Sequence, residues 1–188
     1  MIDSIAIIFA GGKSSRMGKD KALLPFGGFS TLSEYQYNRL SKIFKRVYIS
    51  AKSNKFNFRA DIIKDNYKTS SPLVALISIF ENLDIDEVFI LSVDAPFISK
   101  EIIERLYREA DLSSTIIVAS SLHGLEPLCG IYRKEILDLA KEFLKADNHK
   151  LTSLIKSSNH QIVKFNLSKE FTNLNREEDY KKAISTLI

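Results

Sequence analysis

Two stretches of this 188-residue chain carry side chains suited to phosphate chemistry. The first, FAGGKSSRMGKDKALLPFGG, runs from Phe9 to Gly28 and follows the mostly apolar run Ile5–Phe9. It joins Gly11 and Gly12 to the basic residues Lys13, Arg16, Lys19 and Lys21. Glycine lets the backbone come close to a ligand. Successive bare N–H groups then form a nest for an anion, and Arg16 and Lys21 can add charge-assisted bonds to phosphate oxygens. The second stretch, ILSVDAPFIS, runs from Ile90 to Ser99 and puts Asp94 at the end of an apolar run. A carboxylate there suits Mg²⁺, a hard cation that takes oxygen ligands. Each stretch also has a plainer reading. The first could be a glycine turn before a solvated basic helix start, and the second a turn-forming Asp ahead of Pro96. Together they offer charge for phosphates and a ligand for a metal.

Two familiar phosphate loops do not fit. A Walker loop ends in G-K-[ST], but here Gly18 precedes Lys19 and Asp20. A dinucleotide fingerprint needs G-x-G-x-x-G, which Gly11-Gly12-Lys13 breaks.

The elements that must hold these stretches alternate in type. Strands are expected at Ile5–Phe9, Arg46–Ser50, Asp61–Lys64, Glu87–Val93, Thr115–Ala119, Leu128–Tyr132 and Gln161–Phe165. Helices are expected from the capping-box pattern Thr31-Leu32-Ser33-Glu34 to about Phe44, and from Pro72 to about Leu83. Further helices should follow Ser99 to about Ala110, and cover Lys134–Leu144, Leu151–Lys156 and Arg176–Leu187. Strands that are apolar throughout argue for a mostly parallel sheet covered on both faces, a three-layer α/β/α fold. Ligands of such sheets sit at the carboxyl ends of the strands, where both stretches fall. Ser120–Pro127 and Asp147–Lys150 read as polar loops on the rim. The length fits one domain covering residues 1–188.

Composition narrows the partners. Charged residues make up 27% and the formal net charge is +4, without the basic stripe that nucleic-acid binding calls for. A single cysteine, Cys129, allows no internal disulfide and suits a reducing compartment. The N-terminus has no basic start and no long apolar run, and no stretch approaches a membrane span. The expectation is a cytoplasmic protein with no nucleic-acid or membrane partner. His123, His149 and His160 lack metal-ligand spacing and read as surface residues.

The opening loop resembles the signature L-A-G-G-x-S-x-R-M-G-x-D-K of nucleotidyltransferases that join a nucleoside triphosphate to a phosphorylated acceptor. Arg16-Met17-Gly18, Asp20-Lys21 and Leu23-Leu24 carry the match, and VDAPF, EPLCGIYRK and FTNLNREEDY follow in the family's order. Within that superfamily, with its Rossmann-like fold, the chain is most similar to the molybdenum cofactor guanylyltransferases, and Asn173-Leu174-Asn175 favours that branch. The resemblance implies transfer of GMP from GTP to the phosphate of molybdopterin, with Mg²⁺ and release of pyrophosphate. It implies contacts from Phe9, Ala10 and Gly11 to the guanine and ribose, with Gly12 opening the phosphate nest. Arg16 would hold the leaving phosphates and Lys21 would neutralise the α-phosphate. Ser50 and Asp65 would lie near the base or ribose, Asp94 would bind the metal, and Asn173 and Asn175 would face the pterin. Transient contacts with other molybdenum cofactor biosynthesis proteins and with molybdoenzyme chaperones are implied as well.

The chain departs from that pattern in places. Phe9 replaces the usual Leu, and Ser50 stands where the family often has Asn. Ser71-Pro72-Leu73-Val74-Ala75 replaces G-P-L-A-G, so both glycines are absent. These changes leave guanine and cytosine both open as the base. A sugar or alditol phosphate as acceptor would leave Asn173 and Asn175 idle. A silent nucleotide-binding protein would be expected to have lost Arg16, Lys21 or Asp94, and all three are present.

Overall fold

In β1 (Ile2–Phe9), Ala6 and Ile8 face one way and Ile7 and Phe9 the other, and all four are buried. The same alternation holds in β4 (Glu87–Ser92), with Phe89 and Leu91 on one face and Val88 and Ile90 on the other. Strands buried on both faces need cover on both, which explains their unbroken apolar sequences. The computed structural model describes residues 1–11 and 19–186, so Gly12 and Arg16 lie outside the described residues.

The other strands are β2 (Phe44–Ser50), β3 (Asp61–Ile63), β5 (Ile116–Ser121), β6 (Gly124–Arg133) and β7 (His160–Lys164). They form one seven-stranded sheet in the order β3-β2-β1-β4-β6-β5-β7. Every pairing is parallel except those of β6, which runs antiparallel to both β4 and β5. On one face lie α1 (Leu32–Ser41), α3 (Lys100–Glu109) and α6 (Glu177–Ser185). On the other lie α2 (Pro72–Asn82), α4 (Leu137–Lys145) and α5 (Leu151–Ser157). This is the expected three-layer α/β/α fold with a mostly parallel sheet. After β3 the chain returns past β1 to add β4 on its other side, so the strand order reverses between β1 and β4. Ligands bind at such a switch point.

Local signals acted as expected at the helix starts. Thr31 Oγ1 accepts from the Glu34 N–H (3.0 Å), Ser71 Oγ from Val74 (3.2 Å) and Ser99 Oγ from Ile102 (3.4 Å). The Glu34 carboxylate reaches one residue further back than a capping box requires, accepting from the Ser30 N–H (3.1 Å).

Three expectations are corrected. Helix α1 stops at Ser41 and Phe44 already opens β2, because Phe44 is needed in the core, stacked 5.2 Å from Phe89. Ser120–Pro127 is no loop: β5 and β6 form a hairpin closed at Leu122-His123. Leu128–Tyr132 is only the inner half of β6, and the polar residues before it are the outer half.

That hairpin is irregular. The pairing passes from Val118↔Gly130 directly to Ala119↔Glu126, so Pro127, Leu128 and Cys129 bulge out of the β5 ladder. Pro127 has no N–H for a ladder, which suits it to a bulge. Its carbonyl accepts from the buried Tyr132 hydroxyl at 2.5 Å. Gly130 lies where β5 comes closest: an added Cβ would stand 2.5 Å from the Ile117 carbonyl oxygen. The bulge turns Glu126 and Leu128 towards the carboxyl end of β4.

Candidate active site

The carboxyl ends of β1, β2 and β4 surround a cavity of about 620 Å³. Phe9, Ala10, Gly11, Lys21, Ser50, Asp65 and Asp94 all line it. A smaller cavity of about 300 Å³ adjoins it and holds Asn173, Asn175 and Glu126. Pro72, Ser92, Asp94 and Leu128 belong to both, so the two meet at Asp94.

Lys21 stands at that junction. Its Nζ donates to Asp94 Oδ2 (2.7 Å) and to Asn175 Oδ1 (3.3 Å). Both partners of the ion pair are only 17% exposed. The Ser92 hydroxyl donates to Asp94 Oδ1 at 2.5 Å. The Asn173–Asn175 segment is held by the same residue, since the Leu174 N–H donates to the Asp94 carbonyl (2.8 Å). Asp179 at the start of α6 then accepts from the Asn175 and Arg176 N–H groups (3.1 and 2.8 Å). The sequence places Lys21, Asp94 and Asn175 far apart; the fold brings Asp94 and Asn175 both to Lys21.

Asp65 sits at the other end of the larger cavity. Its Oδ1 is buried and has no hydrogen-bond partner among the described residues. Burial pushes the carboxyl up from its ordinary range, partly opposed by Lys52. A buried acceptor without a donor is costly unless a ligand supplies one. Ser50 is buried at the end of β2 and lines the same space. Gly11 has no left-handed backbone, and a Cβ there would meet the Ser50 carbonyl oxygen only at 3.9 Å. The fold itself therefore sets no steric demand for glycine at this position.

Among the described residues no group of three or more His, Cys, Asp or Glu could hold a metal. A cation held by Asp94 would therefore have to draw most of its oxygens from phosphates and water. Mg²⁺ binds in that way, through one or two carboxylates plus substrate phosphates, whereas structural zinc does not.

Residues 6–162 match the MobA-like NTP transferase domain. The chain belongs to the MobA-like NTP transferase family. It is a nucleotidyltransferase. A molybdenum cofactor guanylyltransferase of Campylobacter jejuni subsp. doylei is 37% identical over 183 residues, spanning 96% of this chain and 95% of that one. One from Helicobacter pylori strain P12 is 34% identical over 193 residues, spanning 100% and 95%. The molybdopterin-guanine dinucleotide biosynthesis protein A of Archaeoglobus fulgidus shares the fold, with a TM-score of 0.82 at 18% identity over 97% of each chain.

The framework of this MobA-like site includes residues the sequence did not single out. Lys55 bonds to the Asp20 carboxylate and to the Ala10 carbonyl (3.1 Å). It thereby ties the end of β1 to the segment carrying Lys21. Asp20 in turn caps the short turn Lys21–Leu23, accepting from the Ala22 N–H (3.1 Å). Gln36 on α1 is fully buried, and its side-chain amide donates to the carbonyls of Ser92 (3.4 Å), Val93 (3.3 Å) and Ala95 (3.0 Å). Those three residues bracket Asp94. Arg39 fixes the orientation of that amide, donating from Nε (3.0 Å) and Nη2 (2.6 Å) to Gln36 Oε1. Lys52 and Lys68 add positive charge to the larger cavity.

His149 lies in the loop Asp147–Lys150 and is partly buried. Its Nδ1 lies 2.9 Å from Ser71 Oγ, and its Nε2 lies 3.1 Å from Asp147 Oδ1. His123, in the β5–β6 turn, and His160, opening β7, hold no place in either cavity. No helix among the described residues is long and apolar enough to cross a membrane.

Proposed function

We propose that this chain transfers GMP from GTP to the terminal phosphate of molybdopterin. An oxygen of the acceptor phosphate forms a bond to the α-phosphorus of GTP. The bond from that phosphorus to the bridging β-phosphate oxygen breaks, and pyrophosphate leaves with the electron pair. The observation that carries this reading is the position of Lys21 and Asp94. They stand where a cavity sized for a nucleotide meets one sized for a second substrate.

In such a displacement, positioning and charge neutralisation supply most of the catalysis. Lys21 is placed to hold negative charge on the α-phosphate, drawing on the same side chain that contacts Asn175 on the acceptor side. Arg16 is assigned to the leaving β- and γ-phosphates and Gly12 to the phosphate nest, on the match to the signature loop. Asp94 would hold Mg²⁺, with Ser92 fixing the carboxylate through one oxygen. When bound, the cation would neutralise charge on the phosphates. Phe9, Ala10 and Gly11 offer backbone to the nucleoside, and Ser50 a hydroxyl. Asn173 and Asn175 face the acceptor.

Asp65 favours GTP over CTP. Its unpartnered buried oxygen needs a donor, and the guanine N1–H and 2-amino edge presents donors side by side. The test is product formation with molybdopterin, Mg²⁺ and either GTP or CTP, reading nucleotide-linked cofactor and pyrophosphate. Product with GTP is expected. Product with CTP alone would keep the mechanism and reverse the base. Product with neither, but with a sugar phosphate as acceptor, would overturn the molybdopterin assignment. The domain is proposed to act as one unit spanning residues 1–188, in the cytoplasm, handing its product to other cofactor proteins.

A further inference from the structure

The smaller cavity contains two carboxylates in different situations. Asp94 is neutralised by Lys21. Glu126 has no such cation among the described residues. It is half-buried, one oxygen accepts from the Ser121 hydroxyl (2.7 Å), and Ser121 Oγ in turn accepts from the His123 N–H (3.0 Å). Its second oxygen has no hydrogen bond among the described residues. The β6 bulge sets this carboxylate on the cavity wall, beside the apolar Pro127, Leu128 and Phe171. The wall thus offers one anionic double acceptor on an otherwise largely apolar surface, with the phosphate-handling Lys21 at the far end.

We infer that Glu126 reads the donor edge of the acceptor's pterin ring, and that Ser121 fixes the carboxylate for this task. This assignment rests on molybdopterin being the acceptor. A 2-amino-4-oxo-pyrimidine ring presents N3–H and a 2-amino N–H side by side, spaced for the two oxygens of a carboxylate, as guanidinium groups are. The flat ring suits an apolar wall of about this volume. Charge orients the acceptor as well. Its phosphate is repelled by Glu126 and attracted by Lys21, so the phosphate enters the junction at Asp94 while the ring lies against β6. Burial of Glu126 raises its pKa, which two ring donors would counter by stabilising the charged form.

Steady-state kinetics with GTP and molybdopterin test this, using E126Q and S121A. A glutamine keeps the shape but offers one donor and one acceptor, so it opposes one of the two ring N–H groups. The expected result for E126Q is a KM for molybdopterin raised about 10- to 100-fold, the loss from removing a charge-assisted pair. The KM for GTP and kcat at saturation should stay within about threefold, which also reports an intact fold. S121A should give a smaller rise in the same KM. In wild type, 6-hydroxymethylpterin should compete with molybdopterin. Its lumazine counterpart, with a 2-oxo group facing the carboxylate, should compete at least about tenfold more weakly, and E126Q should erase that preference. An active wild type with no pterin preference, or an E126Q enzyme with an unshifted KM for molybdopterin, overturns this assignment alone. A wild type that gives no product from GTP and molybdopterin overturns the acceptor reading, and this assignment with it.

Discussion

Replacing Gln36 with leucine separates the scaffold of the site from its chemistry. Gln36 is fully buried on α1 and touches no substrate cavity, yet its amide holds the turn that carries Asp94. Leucine has nearly the same volume, so no large cavity opens. The Ser92 carbonyl keeps a bond from the Ala95 N–H (3.2 Å). The Val93 and Ala95 carbonyls lose the donor the described residues give them. Arg39, itself largely buried and with its pKa lowered by that burial, loses the acceptor for two N–H groups and keeps its bond to the Ile98 carbonyl. Each orphaned buried carbonyl costs about 1–3 kcal/mol, and the loss at the guanidinium about 1.5–3 kcal/mol. Burying the added apolar surface returns part of this. A net loss of roughly 3–5 kcal/mol is expected, a large share of the ~5–15 kcal/mol typical of a domain. At about 2–4 °C per kcal/mol for this size, the melting temperature should fall by about 6–20 °C. Urea unfolding monitored by circular dichroism measures the stability, and kcat measured well below the melting point reads the site. The turn also sets where Asp94 meets Lys21, so kcat should fall by at least about tenfold while the KM for GTP moves less. A variant within about 0.5 kcal/mol of wild type, or one destabilised as expected but with full kcat, would refute the claim that Gln36 positions Asp94.

Other changes test the remaining parts of the argument. Asp94→Ala should abolish metal-dependent turnover while circular dichroism shows an intact fold. Lys21→Ala should lower turnover far more than GTP affinity measured by calorimetry, because the lysine acts on charge that grows in the transition state. Asp65→Asn should weaken GTP binding by about tenfold, the cost of losing one charged acceptor, yet raise stability at neutral pH. The folded-state pKa of Asp65 is raised above its unfolded value, so the folded form is favoured below that unfolded value and loses this advantage as pH rises through the folded value. The stability gain of the asparagine variant, followed by thermal melts from acid to neutral pH, should therefore vanish in acid and be full at neutral pH; a gain independent of pH would refute this cause. Gly130→Ala should destabilise by about 1–3 kcal/mol, since its methyl would drive β6 off the Ile117 carbonyl, and urea unfolding would show it.

How much of this was legible in the sequence depends on the range over which each signal acts. Apolar runs, Thr31, Pro72 and Ser99 act over a turn or two, and they placed most elements correctly. Asp94 was legible because it sits where an apolar run stops, and such stops become the rim of a sheet, while Lys21 was legible from its charge and its place in the signature loop. The antiparallel direction of β6 was hidden, because an inner strand is apolar whichever way it runs. Pro127 and Gly130 did mark its bulge, and a proline within an apparent strand is the signal that could have shown Glu126 turned towards the site. Gln36 and Lys55 had no local signature at all. A polar residue on an amphipathic helix reads as solvent-facing, and a lysine in a loop reads as surface charge. What distinguishes Gln36 is that its neighbours on α1 bury it against carbonyls 56 to 59 residues away in sequence. The same reasoning accounts for His149, whose partner Ser71 is 78 residues distant. Residues whose partner is a substrate can be recognised by type and place at a strand end. Residues whose partner is a distant backbone can be recognised only once the fold brings the two together, and in this site those residues set where Lys21 and Asp94 stand.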